Sequence, residues 1–366
     1  MGAAIGMEGV YVADTALSLV DGQKGALIYR GHGAKDLALS HSFEEVAHLL
    51  LLGQLPEGNK AEIWRSALAS KRALTAEEHR LLDALPPNMD MMESLRTGVS
   101  ALSWDGAMWP PTPEAVATVL ARIPTLVAYR WHRLQGTPFI QPRADLSHTA
   151  NYLYLLTGKE PNPAHVRALD AYLVLTAEHG LNASTFAARV VTSTQSDGLS
   201  ALTAAIGALK GPLHGGAPAE VEEMLEQIGS SSRAADWLQQ RLQNGERLMG
   251  FGHRVYRTRD PRAEALREVA QQLASEEPWF ELALEVEAEA LRLLQQWKPE
   301  RKLYTNVEFY AAVVLRAVGL PRELYTPTFT VARMAGWCAH ILEQAANNRI
   351  IRPQSRYVGP LPEKSS

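Results

Sequence analysis

The chain has 366 residues, 46% of them hydrophobic, with 36 Lys and Arg against 40 Asp and Glu for a formal net charge of −4. That length supports one large core, or a large and a small domain sharing a cleft, and the charge excludes a global field for nucleic acid or an acidic membrane surface. The lone cysteine, Cys338, excludes an intramolecular disulfide and a multi-cysteine metal site, and fits a buried thiol in a reducing, intracellular setting.

The N-terminal residues lack the basic region and unbroken apolar stretch of a signal peptide, and no run approaches a membrane span, so a cytoplasmic protein without a membrane partner is expected. GVYVADTALSLVDGQKGALIYRG alternates apolar residues around Asp21-Gly22 and Lys24-Gly25, which predicts a small N-terminal β-hairpin. From there helix signals dominate. SFEEVAHLLLLG opens with a capping box from Ser42 to Glu45 and closes at Gly53, and TAEEHRLLDAL repeats the device with Thr75 and Glu78. Two longer helices follow, one from Thr112 and Pro113 to Gly136, the next from Asn162 and Pro163 to Gly180. Further helices are predicted in GLSALTAAIGALKG, APAEVEEMLEQIG, RAADWLQQRLQNG, RAEALREVAQQL, ELALEVEAEALRLLQQW, the stretch from Asn306 to Gly319, and PTFTVARMAGWCAHILEQAANN. The fold class is therefore mainly α. Three short breaks, LKGPLHGGAP, NGERLMGFGHR and VGLPRELYTP, bracket a segment of roughly a hundred residues that could form a smaller domain.

His214 and His253 lie in two of those breaks, as GPLHGG and GFGHR, where glycine lets backbone and ligand approach closely. A capping or surface histidine is the plain alternative for either one. As zinc ligands, His179, His214, His253 and Glu308 lack an i, i+4 pair, an HExxH arrangement and a cysteine, so no metal is expected. GFGHRVYR lacks the P-loop pattern and the strand before it. RVYRTRDPRA places Arg254, Arg257, Arg259 and Arg262 just after His253, and Arg333, Arg349, Arg352 and Arg356 run towards the C-terminus. A solvated basic face usually explains such runs, but around a histidine in an acidic chain they suit small carboxylate or phosphate ligands. In LYTNVEFYAAVVL, Glu308 is the only charge between Lys302 and Arg316. A first-turn acid capped by Asn306 is ordinary, yet a surface helix would carry a polar face, so a buried carboxylate with a task is the sharper reading.

Taken in order, EGVYVADTALSLVDGQKGALIYRGHGAKDLA, SFEEVAHLLLLGQLP, EHGLNASTFAARVVTST, GPLHGGAP, GFGHRVYRTRDPRA, NVEFYAAVVL and TPTFTVARMAGWCAHILEQAANNRIIRPQSRYVGP resemble the signature segments of the citrate synthase family from about Gly6 to Gly359. The resemblance implies a two-domain helical homodimer, with residues 1–212 and 319–366 in the large domain, 213–318 in the small one and the active site between them. It implies condensation of acetyl-CoA with oxaloacetate and hydrolysis of the citryl thioester, without a metal or redox cofactor. By motif, His214 would stabilise the enolate, His253 would polarise the oxaloacetate carbonyl and Glu308 would remove the methyl proton. His179, Arg262 and Arg333 match oxaloacetate ligands, and Arg352 matches one supplied by the partner subunit. Arg257 matches a residue on CoA phosphate, and Leu248, Met249, Gly250, Phe251 and Gly252 would line the adenine and pantetheine path.

The chain departs from the family's usual text where the chemistry lies. Glu308 stands for the usual aspartate, Ala311-Ala312 for Ser-Gly, Thr305 for a common proline, and Ala217-Pro218-Ala219-Glu220 for the frequent Ala-Asn-Glu-Ala. A subset of citrate synthases resembles this chain in carrying glutamate there. Two alternatives stay open: a 2-methylcitrate synthase using propionyl-CoA, and an idle paralogue that binds CoA or oxaloacetate.

Overall fold

A computed structural model describes residues 5–7, 9–253, 255–273 and 278–361; Arg254, one of the arginines after His253, lies outside them. Among the described residues there are sixteen α-helices and one three-stranded antiparallel sheet.

The sheet is the N-terminal hairpin, β1 (Ser18–Asp21) on β2 (Ala26–Tyr29), extended by a two-residue β3 (His32–Gly33). Asp21 Oδ1 shapes the turn by accepting from the N–H groups of Gln23 and Lys24, each at 3.0 Å. Both glycines in this turn meet the segment that follows His253. Gly22 C=O accepts from Arg257 N–H at 2.8 Å, and a Cβ on Gly22 would stand 2.2 Å from the Val255 carbonyl. The turn needs glycine for close approach as well as for its bend.

The helices in chain order are α1 (Ala34–Ser40), α2 (Phe43–Leu52), α3 (Lys60–Ala69), α4 (Ala76–Asp83), α5 (Met91–Ser100), α6 (Pro113–Gln135), α7 (His148–Thr157) and α8 (Pro163–Thr176). They continue as α9 (Ala183–Ser193), α10 (Gly198–Leu209), α11 (Ala217–Ile228), α12 (Ser231–Gln243), α13 (Pro261–Leu273), α14 (Pro278–Trp297), α15 (Val307–Ala317) and α16 (Tyr325–Ala346). Both predicted capping boxes form, Ser42 with Glu45 and Thr75 with Glu78. Thr112, Asn162 and Asn306 cap α6, α8 and α15 with their side-chain oxygens.

Helix α8 ends at Thr176 rather than running to Gly180. Its last carbonyls find side-chain donors instead of further helical N–H groups. The Tyr29 hydroxyl lies 3.2 Å from the carbonyls of Val174 and Leu175 and 2.8 Å from that of Glu178, and Arg333 Nε–H donates to Thr176 C=O at 2.7 Å. Helix α16 presses on this end through Gly336, where a Cβ would lie 2.2 Å from the Ala177 carbonyl. The early stop frees Glu178 and His179 from the helix.

Helix α16 is packed by α2, α6, α8, α9 and α10. Cys338 on it is fully buried and burial pushes its thiol well above the ordinary range, as expected of an inert cysteine. Helices α11, α13 and α14 surround α15, α13 also packs on α1 and α8, and α15 itself touches α8.

Candidate active site

His179 follows the shortened α8, Arg333 lies mid-way along α16, Arg262 opens α13, and His253 precedes it in the glycine loop. The structure brings these four together. The His179 and His253 rings are 5.7 Å apart between centroids, and Tyr256 packs on both, with its hydroxyl 3.2 Å from His179 Nε2. Arg262 is held flat by Asp260, which accepts from its Nε at 3.0 Å and its NH2 at 2.8 Å. Arg333 is buried, anchored on Thr176 C=O, with its guanidinium carbon 4.8 Å from the Phe329 ring centroid.

The protonation of His253 follows from its neighbours. Its Nδ1 accepts from the N–H groups of Val255 and Tyr256, both at 3.0 Å. Burial, and then the Arg262 charge, hold the ring down to about 4, so near neutral pH it is uncharged and carries its single proton on Nε2. Arg262 NH2 lies 3.2 Å from that same nitrogen. Two donors side by side invite an acceptor between them, such as a carbonyl or carboxylate oxygen. Burial with the Arg262 and Arg333 charges keeps His179 well below its usual range as well.

His214 stands in the loop before α11, with its ring 6.4 Å from that of Phe329, the ring on which Arg333 packs. Its Nε2 is 2.8 Å from Ser184 Oγ, which also accepts from Trp337 Nε1–H at 3.1 Å. Ser184 has one proton to place between Asn182 Oδ1, at 2.8 Å, and His214. When it donates to His214, the neutral ring keeps its own proton on Nδ1. Burial and then Arg333 hold His214 down to about 4, so it acts as a neutral donor rather than a cation.

The glycine loop and the start of α15 are zipped together. Asn306 N–H donates to Gly250 C=O at 2.9 Å, Gly252 N–H to Tyr304 C=O at 2.7 Å, and Asn306 Nδ2 to Gly252 C=O at 2.8 Å. Gly250 has φ 85° and a Cβ there would meet Phe309 at 2.9 Å, so only glycine fits the strand-like pairing without a shift. Asn306 Oδ1 also accepts from Glu308 N–H at 3.0 Å, which is the capping role that the sequence allowed. The Glu308 carboxyl nonetheless sits in the cleft. Burial pushes it up to about 7, Arg262 pulls it back, Asp260 raises it and Arg333 lowers it.

A stability prediction follows from that shift. The folded protein keeps a proton on Glu308 that the unfolded chain releases near the ordinary glutamate value of 4.5, so this group's contribution is full below that pH and is lost as pH rises through about 7. Glu308→Gln should therefore raise the melting temperature at pH 8, with a gain that shrinks towards pH 4.5. Equal shifts at both pH values would contradict the raised carboxyl.

Leu248 is buried, Met249 and Phe251 are half-buried beside Gly250 and Gly252, and Arg257 is exposed at the edge of the same loop. Arg352 is not brought to the cleft by its own chain; it is exposed in the C-terminal tail. Among the described residues no group of three His, Cys, Asp or Glu side chains could hold a metal ion, and no helix is long and apolar enough to cross a membrane. Sequence reasoning missed Ser184, Tyr256 and Asp260, all inside the quoted segments. Asp260 was the most legible, because an acid two residues before a buried arginine is positioned to pair with it.

The sequence family described as citrate synthase, C-terminal domain, matches residues 6–354. The citrate synthase of Acidithiobacillus ferridurans is 40% identical, covering 97% of this chain and 95% of that protein. The citrate/2-methylcitrate synthase of Bacillus subtilis is also 40% identical, covering 97% and 96%. A citrate synthase from the archaeon Thermoplasma acidophilum, solved as a ternary complex with carboxymethyl coenzyme A and oxaloacetate, superposes with a TM-score of 0.90 at 29% identity, covering 100% of this chain and 98% of that one.

Proposed function

Because this chain belongs to the citrate synthase family, we propose that its cleft joins the methyl carbon of acetyl-CoA to the ketone carbon of oxaloacetate and then hydrolyses the citryl thioester to citrate and CoA. It is an acyltransferase. The observation that carries the assignment of roles is the meeting of a neutral donor pair, His253 and His214, two buried arginines and one raised carboxyl in a single cleft.

Oxaloacetate lies with its carboxylates on Arg262, Arg333 and His179, and with its ketone oxygen on His253 Nε2–H. The thioester oxygen of acetyl-CoA takes the His214 proton as a hydrogen bond. Glu308 removes a methyl proton while that oxygen gains charge, because a carboxylate with an ordinary pKa of about 4 is too weak to do so unassisted. The raised carboxyl narrows the gap. The enolate carbon then attacks the ketone, His253 supports the new alkoxide, and water cleaves the thioester to free the thiol. Neither a metal nor a redox cofactor takes part; acetyl-CoA is a co-substrate. Arg257 meets a CoA phosphate, and residues 248–252 line the path of the adenine and pantetheine.

We read residues 213–318 as the smaller domain, closing on the remainder over the glycine breaks so that water is excluded during proton transfer. The working unit is a homodimer in which Arg352 of each chain completes the cleft of its partner. The exposed apolar tail supports this, with Ile350 61%, Tyr357 69%, Val358 83% and Leu361 79% exposed in the single chain. Its setting is the cytoplasm.

Side-by-side kcat/KM values for acetyl-CoA and propionyl-CoA test the substrate. The acetyl thioester should be preferred by at least about tenfold, a difference on the scale one methylene provides. A clear propionyl preference would replace the reading with a 2-methylcitrate synthase, the second activity named for the Bacillus subtilis relative.

A further inference from the structure

We propose that Glu287, on α14 and outside the cleft, is a positioning residue that sets where the carboxylate of Glu308 stands. Its side chain is buried, at 7% exposure. One oxygen accepts from Thr305 Oγ1 at 2.7 Å and the other from Tyr310 Oη at 2.5 Å. Thr305 stands just before the cap residue Asn306, and Tyr310 stands in the first turn of α15 just beyond Glu308. One carboxylate therefore grips the chain on both sides of Glu308.

Side-chain packing does not duplicate this grip. A cavity of about 580 Å³ lies on the same flank of α15, and Glu287, Thr305 and Tyr310 are part of its wall with Leu284, Ala288 and Leu303. Val307, Phe309 and Tyr310 are buried, but empty space on this flank gives the first turn room to roll, since missing neighbours mean missing contacts. The backbone at the helix start is pinned separately, by Asp260, whose Oδ2 accepts from Val307 N–H at 3.1 Å, and by the bonds to Gly250 and Gly252. With its first backbone N–H anchored and its Thr305 and Tyr310 side chains facing a cavity, the helix start turns about that anchor when the Glu287 bonds are lost. Glutamate is a long lever, so a small roll moves its carboxylate far. Arg267, with Nε 3.8 Å from Glu287 Oε2, keeps a cation beside the gripping group.

This inference rests on Glu308 being the proton acceptor, and the test separates the two. In Glu287→Ala, kcat with acetyl-CoA should fall about 10- to 100-fold, the range expected of a base displaced by up to about 1 Å. The KM for oxaloacetate should stay within about twofold, because the arginines that bind it are untouched. The deuterium isotope effect on kcat with trideuterated acetyl-CoA should rise, since proton removal becomes the slow step. Glu287→Gln, which can accept from one hydroxyl and donate to the other, should recover most of the rate. Tyr310→Phe and Thr305→Val should each show a smaller fall of the same kind, and they decide the matter if Glu287→Ala does not fold. A lower melting temperature with unchanged kcat and isotope effect would make Glu287 merely structural and overturn the proposal. If Glu308→Gln is inert while the Glu287 variants behave as wild type, only the positioning role fails. If Glu308→Gln stays active, the base assignment beneath it fails too.

Discussion

Glu308→Gln should lower turnover by at least about 1,000-fold and leave oxaloacetate binding within about twofold of the wild type, because general base catalysis commonly contributes about 10²- to 10⁴-fold. Glutamine keeps the shape of the side chain and the Asn306 cap on the backbone N–H, so the helix survives the change. What it removes is the proposed proton acceptor. The groups proposed to meet oxaloacetate, Arg262, Arg333, His179 and His253, do not depend on Glu308 for a hydrogen bond. Glu308→Asp is the finer probe. Shortening the acid by one methylene withdraws the carboxylate by about 1 Å, which should cost on the order of 100-fold if α15 is set for the longer acid. Full activity with aspartate would mean that the helix start adapts freely.

The same carboxyl sets the pH profile. A group raised to about 7 is protonated on the acid side, so kcat/KM should fall tenfold per unit below that pH. Arg262 and Arg333 both pull this carboxyl down, and oxaloacetate would neutralise part of their charge. The acid limb of kcat should therefore lie at higher pH than that of kcat/KM.

His214→Ala should reduce kcat by about 100- to 1,000-fold, the usual cost of removing one donor from a developing oxyanion. Its effect should separate cleanly from binding of the first substrate. His214 is held by Ser184 and faces the Phe329 ring, whereas the group around His253 is organised by Tyr256, Arg262 and Asp260. Oxaloacetate affinity should then be nearly unchanged, measured by calorimetry on the folded variant. A matched loss of affinity would place His214 in the oxaloacetate subsite and remove it from the enolate.

Much of this architecture is readable in the residues, for local reasons. Ser42, Thr75, Thr112, Asn162 and Asn306 announce helix starts because the cap and the orphan N–H it satisfies lie within one turn. Helices α1, α3, α5, α7 and α9 are not among the predicted ones, although Asp90, Ser147 and Asn182 cap α5, α7 and α9 in the same way; α9 is rich in Ser, Thr and Val and also packs on α10 and α16. The end of α8 could not be read locally. It depends on Tyr29 and Arg333, which are remote in sequence and donate to its last carbonyls. That end is what presents His179.

The cleft shows the same division. Lone Glu308 in an apolar run was a visible anomaly, and the glycines around His214 and His253 marked loops of close approach. How the groups are charged was not visible. The proton on His253 Nε2 follows from two backbone donors to Nδ1, and the raised Glu308 carboxyl follows from burial, which with Asp260 outweighs the pull of Arg262 and Arg333. Arg352 is exposed in the C-terminal tail, so the role proposed for it at a partner's cleft is not legible in a single chain.

The most direct measurement is the release of free CoA thiol from acetyl-CoA by the folded, purified protein, followed with a thiol reagent and with citrate identified as the product. Release that requires oxaloacetate, with one citrate per thiol, is the predicted result. No release by well-folded protein, or release that ignores oxaloacetate, would contradict the condensation.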